Sequence, residues 1–185
     1  MNNVYFDTPQ LDSYGENLSG VSRRKKLRLR WYGQDQQNIA GTLELKCKQS
    51  AQGWKLSQPL SPGLDLTRHS WQHIREQLRP SLKPELLHYF DRYSWPVLMN
   101  AYQRDYYLSF DGNIRVTLDF GITSYDQRLS LLPNLHREVL PAGKMVVEVK
   151  ADRENQAFLA EVIRSLPLRV GKHSKYAIAM EAILG

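Results

Sequence analysis

At 185 residues, the chain is long enough for one domain with a sizeable hydrophobic core, and a second full domain is not expected. Lys and Arg outnumber Asp and Glu by 25 to 19, which favours an anionic partner such as phosphate, nucleic acid or acidic lipid. The single cysteine, Cys47, excludes an intrachain disulfide and is typical of a reducing compartment.

The sequence shows neither a secretory signal nor a membrane-spanning segment. Its first ten residues lack the basic and apolar regions of a signal peptide. No apolar run approaches the roughly 20 residues that cross a bilayer. We therefore expect a cytoplasmic protein that does not insert into a membrane.

Strand signals begin almost at the first residue and recur along the chain. Alternation of polar and apolar residues predicts strands at residues 3–6, 25–32, 41–48, 100–110, 113–120 and 144–150. An Asp-Gly pair at Asp111 and Gly112 indicates a tight hairpin between two of them. Helical spacing predicts a short link ending at Leu18 and longer helices at residues 66–78, 83–93, 155–166 and 174–184. This order predicts an α+β fold with a largely antiparallel sheet.

The segment KKLRLRWYG, residues 25–33, carries cations on one face of its strand and large apolar side chains on the other. Three later strands repeat the pattern, and each adds an acid to its polar face: Glu44, Asp119 and Glu148. An antiparallel sheet with one face in water satisfies this alternation. A closed barrel with a polar lumen satisfies it too, and its lumen would hold an anionic chain or a polyphosphate. Each isolated acid would then be free to hold a divalent metal.

Six segments, in this order, resemble one known family: VYFDTPQLDSYGENLSG, RRKKLRLRWYG, GTLELKCK, YQRDYYLSFDGNIRVTLD, VVEVK and LPLRVGKHSKY. The chain resembles the VTC domain (vacuolar transporter chaperone), the polyphosphate polymerase branch of the triphosphate tunnel metalloenzymes. The resemblance implies one domain over residues 1–185, built as an antiparallel β-barrel with helices packed outside. It also implies transfer of the γ-phosphate of ATP onto a polyphosphate chain, with Mn²⁺ or Mg²⁺ as the cofactor.

The resemblance also implies roles for individual residues, carried over position by position. Catalytic roles fall to Arg28, Arg30, Lys46 and Arg115. The substrate phosphates would be bound by Arg28, Arg30, Lys46, Arg104, Arg115, Lys150, Lys172 and Lys175. The metal would be bound by Glu148.

The chain departs from the family at its front. Family members begin with a helix and a strand bearing an R-x-E-x-K-Y-type segment, and this sequence starts after that point. We therefore expect either an N-terminally shortened domain or a partner chain that supplies the missing first strand. A missing strand would leave a sheet edge open to association.

Three other functions are compared with the polymerase. A hydrolase of tripolyphosphate or of a nucleoside triphosphate would use several carboxylates of the first strand, which are absent here. A non-catalytic polyphosphate-binding module would keep the basic tunnel without turnover. Nucleic acid is not expected as a partner, because the sequence has no reading module and no evident exposed aromatic platform.

Overall fold

The computed structural model describes residues 1–50, 52–140, 145–165, 171 and 173–185. Within these residues, eight strands and five α-helices form a mixed α+β fold. The strands are β1 (Asn2–Asp7), β2 (Arg23–Trp31), β3 (Thr42–Gln49), β4 (Gln52–Pro59), β5 (Trp95–Leu108), β6 (Ile114–Asp126), β7 (Glu138–Leu140) and β8 (Val146–Ala151). The helices are α1 (Asp12–Leu18), α2 (Trp71–Leu78), α3 (Pro84–Arg92), α4 (Gln156–Ser165) and α5 (Lys175–Leu184).

All the strands belong to one antiparallel sheet, with the order β4-β3-β2-β1-β5-β6-β7. Strand β1 is central and pairs with β2 on one side and with β5 on the other. The outer edge of β6 is divided, because β8 pairs with residues 114–119 and β7 pairs with Ser124 and Tyr125. Strand β1 therefore has no free edge, and within the described residues the outer strands of the sheet are β4, β7 and β8.

The expectation of a closed barrel is wrong. Closure requires a continuous ladder between the first and last strands of a sheet. Here β4 forms no ladder with β7 or β8 in the described part of the chain. The antiparallel α+β fold was predicted correctly, but the sheet remains open because two short strands share the edge that would have to meet β4.

The open sheet is nevertheless strongly curled. Four strands separate β3 from β8, which in a flat sheet would put them roughly 24 Å apart at about 4.8 Å per strand. Yet the pKa of Lys46 on β3 is lowered by burial, by Arg28 and by the charge of Lys150 on β8. The sheet therefore forms an incomplete barrel wall, and Lys46 and Lys150 face each other across its concave side.

The convex face of the sheet forms the main hydrophobic core. The apolar residues of β2 and β3 alternate with their cations, and Leu29 and Leu43 are completely buried. Helices α2 and α3 cover this face. Phe6 of β1 meets Trp71 of α2 edge to face at 6.4 Å and Phe90 of α3 at 5.8 Å.

Helix α5 covers one end of the concave face instead. Its Tyr176 ring stacks on Tyr5 of β1 at 5.1 Å, and the Tyr176 hydroxyl donates to Asp7 Oδ2 at 2.5 Å. Ser174 caps the helix by accepting from the Ala177 amide at 3.2 Å. The start of α5 therefore lies on the polar side of the sheet.

All six predicted strands are present, although several ends differ and Lys144 lies outside the described residues. Strands β4 and β7 were missed, because β4 is a mostly exposed edge strand without regular apolar alternation and β7 has three residues. The predicted helix 66–78 begins later, at Trp71, where the Ser70 side chain accepts from the His73 amide. In the described parts of the chain, no helix is long and apolar enough to cross a membrane.

Candidate polyanion-binding groove

The concave face of the sheet collects most of the charged residues that the sequence analysis identified. We call this surface the cationic groove. It contains seven cations and three carboxylates, a surplus of four positive charges, contributed by Lys26, Arg28, Arg30, Glu44, Lys46, Arg104, Asp119, Glu148, Lys150 and Lys175.

Strands β2 and β3 position the first arginine pair. Their register sets Arg28 opposite Glu44, and Arg28 Nε and Nη2 lie 2.7 and 2.6 Å from Glu44 Oε2. Arg30 Nη1 lies 3.8 Å from the same oxygen, and Lys55 Nζ lies 3.1 Å from Glu44 Oε1. Burial alone would raise the pKa of Glu44, but these cations outweigh burial and lower it. Glu44 is therefore a fixed anion that holds Arg28 in place.

Strands β5 and β6 position a second cluster around Asp119. This carboxylate is completely buried, accepts hydrogen bonds from Arg104 Nε and from Lys175 Nζ, and lies 2.7 Å from Arg104 Nη2. Burial acts to raise the pKa of Asp119, but the two cations lower it below its usual value. Asp119 therefore holds two cations in place, Arg104 on β5 and Lys175 at the start of α5.

A bulge in β6 brings this cluster onto the concave face. Gly121 and Ile122 together lie opposite Tyr102, and Gly121 has a φ of 60°, which favours glycine. The extra residue reverses the alternation of side chains along β6. Asp119 therefore shares a face with the buried Ser124, although the two residues are five positions apart, a spacing that puts side chains of a regular strand on opposite faces.

Two lysines of the groove have no ion pair within 4.0 Å in the described part of the chain, Lys26 and Lys46. Burial, followed by repulsion from Lys46, Arg24 and Arg28, lowers the pKa of Lys26 to about 8. Its Nζ donates to Ser174 Oγ at 2.9 Å, a neutral partner. Burial and the neighbouring cations lower the pKa of Lys46 as well. Both lysines would be stabilised by an anion in the groove.

The floor of the groove also contains two buried donors without an acceptor. Asn100 Nδ2 and Thr117 Oγ1 form no hydrogen bond within the residues described. Asn100 Oδ1 accepts from Asn3, whose own Oδ1 accepts from Arg30 Nε at 3.0 Å. Buried polar atoms are almost always hydrogen-bonded in native proteins, so these two groups are exceptions beneath the groove.

Glu148 and Lys150 lie on β8 at the other wall of the groove. Glu148 Oε1 is 3.1 Å from Lys150 Nζ, and 43% of the Glu148 side chain remains exposed. Burial acts to raise the pKa of Glu148, but Lys150, Arg104 and Lys46 lower it. This carboxylate stays ionised and accessible.

Arg115 lies farther out than the other predicted residues. It pairs in register with Lys150, is exposed, and borders an open cleft of about 630 Å³ together with Tyr106 and Leu159. Lys172 lies outside the described residues. The structure thus groups seven of the predicted site residues and leaves Arg115 at the mouth of the groove.

The expectation that each acid would be free to hold a metal is wrong for Glu44 and Asp119. Strand register sets an arginine directly opposite each of them, so cations already occupy both carboxylates. Among the described residues, no group of three or more His, Cys, Asp or Glu side chains could enclose a metal ion. Glu148 fits a Mg²⁺ or Mn²⁺ ion that is held mainly by phosphate oxygens and water, because such ions often bind one or two carboxylates plus substrate phosphates.

Sequence reasoning left Lys26 out of the candidate site, and it also left out Lys55, a half-exposed cation of β4 that pairs with Glu44 beside the groove. The signal for Lys26 was present, since it alternates in register with Arg28 and Arg30. Lys55 could not be found in this way, because its strand was not predicted.

A curled antiparallel sheet with a surplus of buried and half-buried cations on its concave side defines an α+β protein with a cationic groove. More particularly, the chain belongs to the VTC domain family, whose model matches residues 1–184. Membership of this family is consistent with a polyphosphate-related function. A search of curated proteins gave no significant match.

Proposed function

We propose that this chain is a metal- and ATP-dependent polyphosphate polymerase domain that holds its substrates in the cationic groove. The observation that carries the proposal is the groove's surplus of four positive charges, including two lysines whose pKa values are lowered. Unpaired cations of this kind need an anion to offset their desolvation and mutual repulsion. Family membership supports a polyphosphate chain as that anion.

The arginines and lysines of the groove suit different parts of phosphoryl transfer. Arginine donates two parallel hydrogen bonds to phosphate, and Arg28 is already oriented by Glu44. Lysine acts as a mobile point charge, which suits Lys46 and Lys150 on opposite walls. Phosphoryl transfer depends mainly on such positioning and charge neutralisation, with little covalent work for the protein.

In the proposed reaction, a terminal oxygen of the polyphosphate chain attacks the γ-phosphorus of ATP. The new P–O bond forms as the bond to the β–γ bridging oxygen breaks, and ADP leaves with that electron pair. Arg28 and Arg30 bind and orient the phosphates. Glu148 would hold a Mn²⁺ or Mg²⁺ ion together with phosphate oxygens, and that ion supplies charge neutralisation when it is bound.

A turnover assay with ATP and Mn²⁺ tests the proposal. The polymerase should produce acid-insoluble polyphosphate and one ADP for each phosphate added. A hydrolase should release inorganic phosphate without polymer. Polymer formation that is unchanged in an Arg28→Ala, Arg30→Ala double variant would contradict the assignment of the site.

A non-catalytic polyphosphate-binding module is the second candidate. The observation that favours it is the engagement of Glu44 and Asp119 by cations, which leaves Glu148 as the half-exposed carboxylate of the groove. This candidate predicts tight binding of tripolyphosphate that weakens as salt rises, with no turnover of ATP under any metal. Polymer synthesis would exclude it.

A further inference from the structure

The row of cations on β2 continues beyond the cationic groove. Residues two apart on a strand share a face, so Arg24 lies on the groove side of β2, in line with Lys26 and Arg28. From Arg24 to Arg30, the row is roughly 20 Å long at about 3.4 Å per residue. Its first member, Arg24, is the one that the proposed function leaves unused.

Strand register sets a second cation opposite each of the first two members of the row. Arg24 lies opposite Lys48 of β3, and Lys26 is likewise opposite a lysine. Opposite residues in an antiparallel pair have their Cβ atoms about 4.5–5.5 Å apart, and like charges there are destabilising. The pKa of Lys26 shows this repulsion, because burial, Lys46 and Arg24 all lower it. An anion lying along both pairs would remove the repulsion.

Arg24 and Lys48, which we call the outer pair, are open to a ligand. Lys48 is exposed and Arg24 is half-buried. Neither side chain has an acid within 4.0 Å in the part of the chain that the structure describes. Arg28 differs, because it lies opposite Glu44 and is paired with it. The outer pair therefore depends on solvent ions or on a ligand for its counter-ions.

The length of the row restricts which anion reaches the outer pair. Arg24 is four residues from Arg28, roughly 14 Å along the strand at about 3.4 Å per residue. Three linked phosphates held by Arg28 and Arg30 do not bridge that distance, whereas a longer chain does. A tripolyphosphate therefore leaves the outer pair uncovered.

Single-stranded nucleic acid is the other long polyanion, and the surroundings of the outer pair suit it less. Proteins that bind single strands without sequence preference stack the bases on aromatic side chains. The exposed Trp54 of β4 lies opposite Cys47, so it belongs to the convex face. The Tyr5 ring, on the groove side of β1, is buried against Tyr176. Polyphosphate has no bases to stack and needs only the cations.

We propose that the outer pair binds a long polyphosphate chain where that chain leaves the cationic groove. This inference rests on the proposed function, in which Arg28 and Arg30 hold the inner phosphates. The Arg24 guanidinium and the Lys48 ammonium donate hydrogen bonds to phosphate oxygens farther along the chain. The length of the chain thereby determines its affinity.

Isothermal titration calorimetry with three probes tests the inference. The probes are tripolyphosphate, a linear polyphosphate long enough to span the row, and a single-stranded oligothymidylate of the same net charge. The long polyphosphate should bind roughly tenfold or more tightly than tripolyphosphate, because it gains two charge-assisted contacts. The oligothymidylate should bind more weakly than the long polyphosphate.

Variants connect the length dependence to the outer pair. An Arg24→Gln, Lys48→Gln double variant should weaken the long chain by roughly tenfold or more and tripolyphosphate by less than about twofold. Without ligand, its unfolding midpoint should equal or exceed that of the parent, because a repulsive pair is removed. The matched control is an Arg23→Gln, Lys25→Gln double variant, which removes the same charge from the opposite face of β2. Lys25 lies over the Tyr89 ring of α3 on that face, and the control should bind both polyphosphates as the parent does.

The outcomes separate this inference from the proposed function. With tripolyphosphate still bound, equal affinity for both lengths would overturn the inference alone. Unchanged long-chain affinity in the outer-pair variant, an equal loss for tripolyphosphate or an equal loss in the control would do the same. An oligothymidylate that binds as tightly as the long polyphosphate would assign the outer pair to nucleic acid instead. A parent protein that binds neither polyphosphate would refute the proposed function, and the inference with it.

Discussion

Removing the charge of Asp119 should destabilise the fold and reveal how the groove is held together. Asp119 is 1% exposed at its side chain, and its two partners, Arg104 and Lys175, are 14% and 13% exposed. The variant Asp119→Asn leaves two largely buried cations without their counter-ion. Removing one partner of a buried ion pair costs about 3–5 kcal/mol. For a chain of this size, that loss lowers the unfolding midpoint by about 6–20 °C, at about 2–4 °C per kcal/mol.

Thermal and urea unfolding followed by circular dichroism measure this loss. The control is Asp91→Asn, which breaks an exposed pair with Arg79 and should leave the midpoint close to that of the parent. Tripolyphosphate should raise the midpoint of Asp119→Asn more than that of the parent, because the variant groove carries one more uncompensated cation. A loss below about 1 kcal/mol, or no additional effect of tripolyphosphate, would refute the view that Asp119 neutralises both cations.

Four further predictions concern the groove. Arg28→Ala and Arg30→Ala should each weaken tripolyphosphate binding by about 1.5–3 kcal/mol, measured by calorimetry; affinities equal to the parent's would mean that these arginines do not bind the substrate. Glu148→Gln should abolish Mn²⁺-dependent turnover while thermal stability and metal-independent polyphosphate binding persist, and full activity over a Mn²⁺ titration would remove Glu148 from the metal site. Burial and the neighbouring cations lower the pKa of Lys26 to about 8 in the empty groove, so the advantage of the parent over Lys26→Gln in tripolyphosphate binding should be full below that pH, decline above it, and be lost above the higher pKa that Lys26 has beside the bound anion. The lowered folded-state pKa of Asp119 stabilises the fold at pH values above the usual pKa of Asp, and this contribution should be lost as pH falls from that usual range towards the lowered pKa, because there the unfolded chain binds the proton and the folded chain does not. The midpoint of Asp119→Asn should lack this part of the acid-dependent loss.

The sequence by itself determined the two faces of the strands around the groove, six of the eight strands in the described residues, and the class of the fold. The alternation around Arg28 puts the cations on one face of β2 and Leu27 and Leu29 on the other, and both leucines are buried in the core of the convex face. That outcome depends on local geometry alone, because successive side chains of a strand point to opposite sides. The order of the motifs likewise identified the family, whose model covers residues 1–184.

Tertiary structure decided whether the sheet closes and which charges remain available. Closure depends on pairing between the edges of strands far apart in sequence, and in the described part of the chain neither β7 nor β8 pairs with the outer edge of β4. Whether a charged side chain remains free to bind a ligand depends on which residue of the neighbouring strand lies opposite it. The register sets Arg28 opposite Glu44 and Arg104 opposite Asp119. The residue pattern of one strand does not specify which residues of the neighbouring strand lie opposite it. A bulge such as the one at Gly121 also reverses which side chains face each side of the sheet. The sequence therefore predicted a cationic face, and only the folded chain determined that Lys26 and Lys46 have no ion pair within 4.0 Å among the residues that the structure describes.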